Sequence, residues 1–182
     1  MMNSALFRTA IFDALCACLG VDRDGEEAAS LIREAYAEPE NSPRLPRNRN
    51  VIYWTVLQEP GAETRPAESV SGRAGTGRNT NVVYTTLQYQ LIIVCYGPSS
   101  ETFARRIRSL LFLDGDGCPR RILRQAGIYP VPDPPQPAIL YEEEGSLWRR
   151  RADLAVSLRV AEEQAGPETG AVTVPPEIPF HT

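Results

Sequence analysis

The sequence contains no lysine: all 19 basic residues are arginine, and its only histidine is His181. Without lysine, the chain can form neither a phosphate-binding Walker site nor a Schiff base nor a Ser–Lys dyad. A single imidazole at position 181 also argues against Ser–His and Cys–His catalysis. We therefore expect a protein that is not an enzyme and that uses no cofactor.

Long apolar runs, basic excess and paired cysteines are also missing. No stretch approaches the roughly 18 apolar residues of a membrane span, and Asp13 interrupts the first apolar segment, which we interpret as a structural helix and not a secretion signal. The net charge of −4 lacks the basic excess of a nucleic-acid-binding protein. The four cysteines form no CxxC pair, so we expect buried free thiols: Cys16, Cys18, Cys95 and Cys118.

The apolar periodicity predicts an α+β fold in one domain. An N-terminal helix carries Phe7, Ile11, Ala14, Leu15 and Cys18 on one face and ends at Gly20. "ASLIREAYAE" (29–38) fits either a helix or an edge strand, and we favour a short strand. A proline-rich loop then leads to a strand at Asn50–Gln58, which is rich in β-branched and aromatic residues.

A second long strand, Val82–Tyr96, is predicted to follow a polar loop at 59–81. At roughly 3.3 Å per residue this strand would span about 50 Å, more than a small core needs, so part of the hairpin should project. "YGPSSE" then starts a helix whose buried stripe is Phe103, Ile107, Leu110 and Leu111. "CPRRILRQAG" predicts a short helix that ends at Gly127, and "IYPVPDPPQP" an extended connector.

The last part of the domain is predicted to be a hairpin, "AILYEEEGSLWRRRADLAVSLRV". Its second arm should point Trp148, Ala152, Leu154, Val156, Leu158 and Val160 inward. The predicted architecture is thus a mainly antiparallel sheet with a long projecting hairpin, flanked by the N-terminal helix and one or two central helices. We place the domain at 1–163 and an extended C-terminal arm, with its own apolar residues, at 164–182.

Four short segments invite a chemical interpretation that the residues do not sustain. "SGRAGTGRN" (71–79) lacks the lysine and spacing of a phosphate loop, and "DGDG" (114–117) lacks the glutamate of a calcium loop. The adjacent acids of "YEEEG" (141–145) should point in different directions, which favours a solvated acidic patch. In "WRRR" (148–151), Arg149 and Arg151 share one strand face and should pair with nearby glutamates or a neighbouring subunit.

Three segments, in order, resemble the neck and tail-terminator proteins of tailed bacteriophages. They are "NVIYWTVLQEP", "VVYTTLQYQLIIVCYGPSSETFARRIRSLL" and "RILRQAGIYPVPDPPQPAILYEEEGSLWRRRADLAVSLRV", followed by a "VTVP" tail. The most specific part of the resemblance is the strand that ends in "YGPSSETFARRIRSLL", and together the segments cover roughly residues 30–175. The stretch from Asp24 to Asn50 departs from the pattern of that family.

The resemblance implies a structural virion protein that assembles as a ring, typically of six copies, at the head-proximal end of the tail. Its partners would be itself, the tail tube and sheath or neck proteins, with DNA passing through the lumen without sequence-specific binding; assembly would occur in the host cytoplasm. The alternatives are another tail, baseplate or head–tail connector component and, more remotely, a hydrolase that uses Glu142 and Glu144. The candidate interface residues are Arg65, Arg73, Arg78, Arg149, Arg151, Val172, Val174, Ile178 and Phe180.

Overall fold

The structure is a computed structural model that describes residues 4–35, 48–58, 66–73, 79–132, 134–144 and 147–169. Its helices are α1 (Ser4–Leu19), α2 (Glu26–Leu31), α3 (Ser100–Leu110) and α4 (Pro119–Gln125). Its strands are β1 (Ile32–Glu34), β2 (Val51–Gln58), β3 (Pro66–Arg73), β4 (Asn79–Tyr96), β5 (Ile128–Pro130), β6 (Ala138–Glu144) and β7 (Leu147–Thr169). The predicted α+β class, with a mainly antiparallel sheet, is confirmed.

All seven strands belong to one sheet, whose main path runs β1-β2-β4-β7-β5. β3 pairs with the N-terminal half of β4, and β6 pairs with the N-terminal part of β7. Only the pairing of β1 with β2 is parallel among these strands; the others are antiparallel. The two longest strands, β4 and β7, therefore form the centre of the sheet.

The helices α1, α3 and α4 cover one face of this sheet, which gives a two-layer core. Strand alternation places Leu91, Ile93 and Cys95 of β4 on that face, where all three are buried. The helical side contributes residues such as Ile11 and Ile107, both almost fully buried. No helix in the described ranges is both long and apolar enough to cross a membrane.

The ladder between β4 and β7 continues beyond this core. Its register runs from Tyr96 opposite Arg151 to Asn79 opposite Thr169. The part from Thr86 back to Asn79 spans about 26 Å at roughly 3.3 Å per residue. We call β3 and the paired segments 79–86 and 161–169 the distal extension. It is three strands wide, because β3 pairs with β4 over most of this length.

The N-terminal helix matches its prediction, whereas the segment after it was only partly predicted. α1 ends at Gly20, whose φ of 71° lies in the left-handed region, and its predicted apolar face is buried. Residues 26–31 form α2, which we did not predict; it starts with Glu26 and Glu27 and buries Ala28. The favoured strand is limited to β1, where the alternation of Ile32 inward and Arg33 outward matches the neighbouring strand β2.

The prediction of one polar loop at 59–81 was wrong, because residues 66–73 form β3. Backbone hydrogen bonds to β4 hold this strand, so an apolar stripe is not required for it to form. The prediction that the chain leaves the sheet at residue 164 was also wrong in its boundary, since β7 continues to Thr169. Residues 170–182, the remainder of the predicted arm, lie outside the described residues.

Two further predictions need correction near the β6–β7 hairpin. The predicted connector begins with β5, because Ile128 and Pro130 pair with β7 and are buried. Trp148 does not point into the core: 67% of it is exposed. It shares the core-facing side of β7, but Arg150, two residues closer to the core, already pairs with Glu101 of α3. The helical layer thus reaches Arg150, and Trp148 lies beyond that contact.

The turn between β4 and α3 depends on a glycine that packs against the start of β2. Gly97 has φ of 104°, and its amide donates a hydrogen bond to the Arg150 carbonyl at 3.2 Å. Next to it, the Asn50 Oδ1 atom accepts a hydrogen bond from the Ser99 amide at 2.9 Å. Ser99 occupies the N-cap position of α3, but its side chain makes no capping bond. The Asn50 side chain therefore fixes the direction in which α3 leaves the sheet.

We predict that Gly97→Ala lowers the free energy of unfolding by about 2–4 kcal/mol. A Cβ atom there would lie 2.6 Å from Asn50 Oδ1 and 2.8 Å from the Arg49 carbonyl oxygen, in addition to the unfavourable φ. The matched control is Gly117→Ala, with φ of 71° and no atom within 4 Å of the new Cβ. It should cost only about 1 kcal/mol. Urea denaturation measures both; equal losses would contradict the packing explanation.

Candidate assembly surfaces

The face of the sheet opposite the helices, which we call the outer face, exposes apolar side chains. By strand register, Leu57 of β2, Tyr129 of β5 and Leu140 of β6 point to this side. Each of them is about half exposed. Exposed apolar residues on one sheet face are typical of a surface that another protein covers.

Near the β6–β7 hairpin, the outer face carries a cluster of charged and aromatic side chains, which we call the hairpin cluster: Tyr96, Glu142, Arg149, Arg151 and Asp153. Arg151 donates to both carboxylate oxygens of Asp153, from Nε at 2.6 Å and from Nη2 at 2.7 Å. The Tyr96 hydroxyl donates to Glu142 at 2.8 Å, and Arg151 Nη1 lies 3.5 Å from the same carboxylate. The cluster thus joins three strands, β4, β6 and β7, on one face.

Arg149 is held in this cluster by an aromatic ring and not by a carboxylate. Its guanidinium carbon lies 4.4 Å from the centroid of the Tyr96 ring, a cation–π contact. Its Nε and Nη2 atoms are buried without a hydrogen-bond partner. The predicted pairing with glutamate therefore occurs at Arg151 but not at Arg149. A pocket of about 200 Å³ opens here, lined by Tyr96, Glu142, Glu143 and Arg149.

The titration of the cluster follows from its burial and contacts. Burial, followed by the hydrogen bond to Glu142, raises the pKa of Tyr96 to about 12. The hydrogen bonds to Asp153 raise the pKa of Arg151 above its ordinary value. Tyr96 is consequently a neutral hydrogen-bond donor, and Arg151 a fixed cation, over the whole physiological pH range.

The acidic run at 142–144 lies at the end of β6, where it pairs with the start of β7. Register places Glu142 opposite Arg149 and Glu143 opposite Trp148, so these two neighbours point to opposite faces of the sheet. Glu142 already accepts a hydrogen bond from Tyr96. In the described ranges, no group of three His, Cys, Asp or Glu side chains is placed to hold a metal ion.

The thiols resemble core residues more than reactive groups. Cys16, Cys18 and Cys95 are buried and unpaired, and Cys118 is partly buried and unpaired. Burial raises the pKa of Cys16 to about 11 and that of Cys18 and Cys95 to about 12. A thiolate is the reactive form, so these three thiols are held in their unreactive form at neutral pH.

The structure places only some of the predicted interface residues. Arg149 and Arg151 lie together in the hairpin cluster, and Arg73 ends β3 in the distal extension. The others lie outside the described residues: Arg65, Arg78, Val172, Val174, Ile178 and Phe180.

"DGDG" forms the turn between α3 and α4, where Arg124 pairs with Asp114 at 3.1 Å.

A second surface, which the sequence did not indicate, is a groove of about 380 Å³ at the β1 edge of the sheet. We call it the edge groove. Its apolar lining comes from Phe12 of α1, Ile32 of β1 and Trp54 of β2. Trp54 is only 4% exposed, yet its indole Nε1 has no hydrogen-bond partner. A buried donor without a partner costs about 1–3 kcal/mol, so this position favours a ligand with an acceptor oxygen.

Four charged side chains also line the edge groove. Arg8 Nη1 lies 3.3 Å from Glu34 Oε1, and Arg23 lies 3.1 Å from Asp13 and 3.9 Å from Asp24. More than half of each arginine side chain is exposed. Exposed pairs of this kind contribute little stability, so an incoming carboxylate can exchange with their present partners.

The described ranges thus form an α+β fold whose candidate contact surfaces are the outer face, the hairpin cluster and the edge groove. The family model for the phage neck terminator protein matches residues 7–179, which is nearly the whole sequence. The chain belongs to this family, and its place is therefore among the structural proteins of the phage neck and tail. None of the curated proteins matches it.

We predict that ionisation of Tyr96 at alkaline pH lowers the free energy of unfolding. Because its pKa is raised in the folded state, its contribution is fully present below pH 10, the value for an ordinary tyrosine, and is lost as the pH rises through about 12. The free energy of unfolding of the wild type should thus fall more steeply between pH 10 and 12 than that of Tyr96→Phe. Denaturant titrations at fixed ionic strength measure both. Tyr129→Phe, at a half-exposed tyrosine, is the control; parallel curves for wild type and Tyr96→Phe would contradict the prediction.

Proposed function

We propose that this chain is a non-enzymatic subunit of a ring at the head-proximal end of a phage tail. The ring ends growth of the tail tube and joins the tail to the neck. Its partners are further copies of the chain, six in all, together with tube and neck or sheath proteins. DNA passes through the lumen without sequence-specific binding, and the subunits assemble in the cytoplasm of the host.

The distal extension is the observation that carries this proposal. β4 and β7 pair from the core out to Asn79 and Thr169, and on β7 the pairing runs nine residues beyond the buried Val160. A three-stranded segment of this length offers backbone edges and side-chain surface that a single subunit does not need for its own core. Head-to-tail contacts between like subunits use such surfaces, and they close into a ring when the rotation between neighbours permits.

The outer face supports the same proposal. Leu140, which lies opposite Arg151, exposes apolar area beside the hairpin cluster, and Leu57 and Tyr129 expose apolar area further along the same face. Apolar centres with a polar surround are typical of stable interfaces, which bury about 1,200–2,000 Å² in total. The interface roles of Arg149 and Arg151 belong to this proposal, since both lie on that face.

A different connector component, such as a stopper or an adaptor, is the second candidate, because the same surfaces would serve it. Its position in an imaged virion distinguishes it from a terminator. An acid-dependent hydrolase that uses Glu142 and Glu144 has less support, since Glu142 already accepts a hydrogen bond from Tyr96 and lies 3.5 Å from Arg151.

We expect the purified chain to form rings, because its extended strands and outer face present more contact area than the core uses. Negative-stain imaging and sedimentation measure the size and symmetry of the assemblies, and gold-labelled protein should bind to the ends of isolated tail tubes. Labelled bovine serum albumin is the control for adhesion to tubes. A chain that stays monomeric at all concentrations and leaves tube ends unlabelled would overturn the proposal.

Removal of residues 170–182 should leave the fold intact and weaken assembly. The deletion begins after Thr169, where β7 ends, so the free energy of unfolding should change by less than about 1 kcal/mol. Sedimentation should show a smaller assembled fraction. Val172→Ser with Val174→Ser keeps the chain length and should weaken assembly less than the deletion does. If the truncated chain fails to fold, the segment belongs to the core and the prediction is wrong.

A further inference from the structure

The edge groove combines three features that suit a peptide ligand. Trp54 is almost completely buried, but its indole N–H has no acceptor. Phe12 and Ile32 continue the apolar lining on either side of it. Arg8 and Arg23 stand at the same groove with more than half of each side chain exposed. A matching ligand is therefore apolar and carries a free acceptor oxygen, and a carboxylate on it would have to displace the acids that now pair with Arg8 and Arg23.

A proline-rich peptide that contains an acid meets these requirements. Polyproline segments form no internal backbone hydrogen bonds, so their carbonyl oxygens are free to accept a bond from an indole N–H. Proline rings pack well on aromatic side chains, which is how several peptide-binding domains recognise such segments. A carboxylate next to the prolines would pair with a guanidinium at the groove.

This chain carries such a peptide at Pro175–Phe180, "PPEIPF", outside the described residues. It has three prolines, the apolar side chains Ile178 and Phe180, and one acid, Glu177. No arginine occurs after Arg159, so nothing in this part of the sequence would repel Arg8 or Arg23. Its apolar residues complement the lining of the edge groove, and Glu177 would compete with Asp13, Asp24 and Glu34 for the two arginines.

The peptide cannot reach the groove of its own subunit. Trp54 lies beside Ile93 of β4, which lies beside Leu154 of β7. The distance along β7 from Leu154 to the last residue of the strand, Thr169, is fifteen residues, or about 50 Å. Phe180 is eleven residues beyond Thr169, and a fully extended chain covers at most about 40 Å over that length. An occupied groove thus requires a tail from another copy.

We propose that the edge groove of one subunit binds residues 175–180 of a second copy of this chain. The Trp54 indole N–H donates to a backbone carbonyl of the peptide, and Glu177 pairs with Arg8 or Arg23. The contact joins two different patches, so each subunit gives one tail and receives one. The inference rests on the proposed ring assembly and specifies one of its contacts.

Disulfide trapping in the full-length chain tests this contact. Thr9 is exposed at the groove, so Thr9→Cys with Ile178→Cys places a thiol on each side of the proposed contact. Under mild oxidation, the double variant should give covalent dimers and higher multimers on a non-reducing gel, and dithiothreitol should remove them. Each single variant is the control for the four native thiols. Adding Trp54→Phe, which keeps an aromatic ring without the donor, should slow the trapping about fivefold.

Three outcomes would overturn the inference. A disulfide within one chain would mean that the tail reaches its own groove. If Thr9→Cys instead forms a disulfide with Leu45→Cys within one chain, the segment that follows β1 occupies the groove. If no disulfide forms but imaging still shows rings, the tail does not bind the edge groove, and the proposed function is not contradicted. Absence of both the disulfide and the rings would contradict the function as well.

Discussion

The antiparallel ladder between β4 and β7 is the constraint on which the rest of the structure depends. Its register fixes which side chains of both strands face the helices, because a shift of one residue would exchange the two faces. Leu91, Ile93 and Leu154 consequently meet the helical layer, and Tyr96 and Arg151 meet on the outer face. The same ladder continues into the distal extension, so core and candidate assembly surface share one set of hydrogen bonds.

Arginine performs the structural tasks that attach the helices to this ladder. Arg106 of α3 donates to the Cys18 carbonyl at 2.8 Å, near the C-terminal end of α1, where helical carbonyls lack partners. Arg108 donates to the Pro134 carbonyl at 3.1 Å and holds the connector, and Arg150 pairs with Glu101. The planar guanidinium offers several donors in a fixed geometry, which a lysine ammonium does not. These three arginines thus act as hydrogen-bond donors within the subunit.

The sequence predicted those helices and strands whose apolar residues recur at a regular spacing, because that spacing marks the buried face. α1, β2, β4 and α3 were located because their apolar residues recur at the helical or strand period, and each buries that face. The stop at Gly20 was recognised because a left-handed residue ends a helix. β3 was missed because its stability lies in backbone bonds to β4, which no side-chain pattern records. Trp148 was misplaced because alternation gives the face of a strand but not how far the helices extend over it.

The sequence by itself determined the fold class, the family and the absence of lysine-dependent chemistry, since these depend on composition and on local order. Only the tertiary structure brought Phe12, Ile32 and Trp54 together in the edge groove, and Tyr96 with Glu142 and Arg151 in the hairpin cluster. These residues are far apart along the chain, and their contact depends on strand order and on the parallel pairing of β1 with β2. Long-range pairing is set by the free energy of the whole sheet, so no local pattern encodes it.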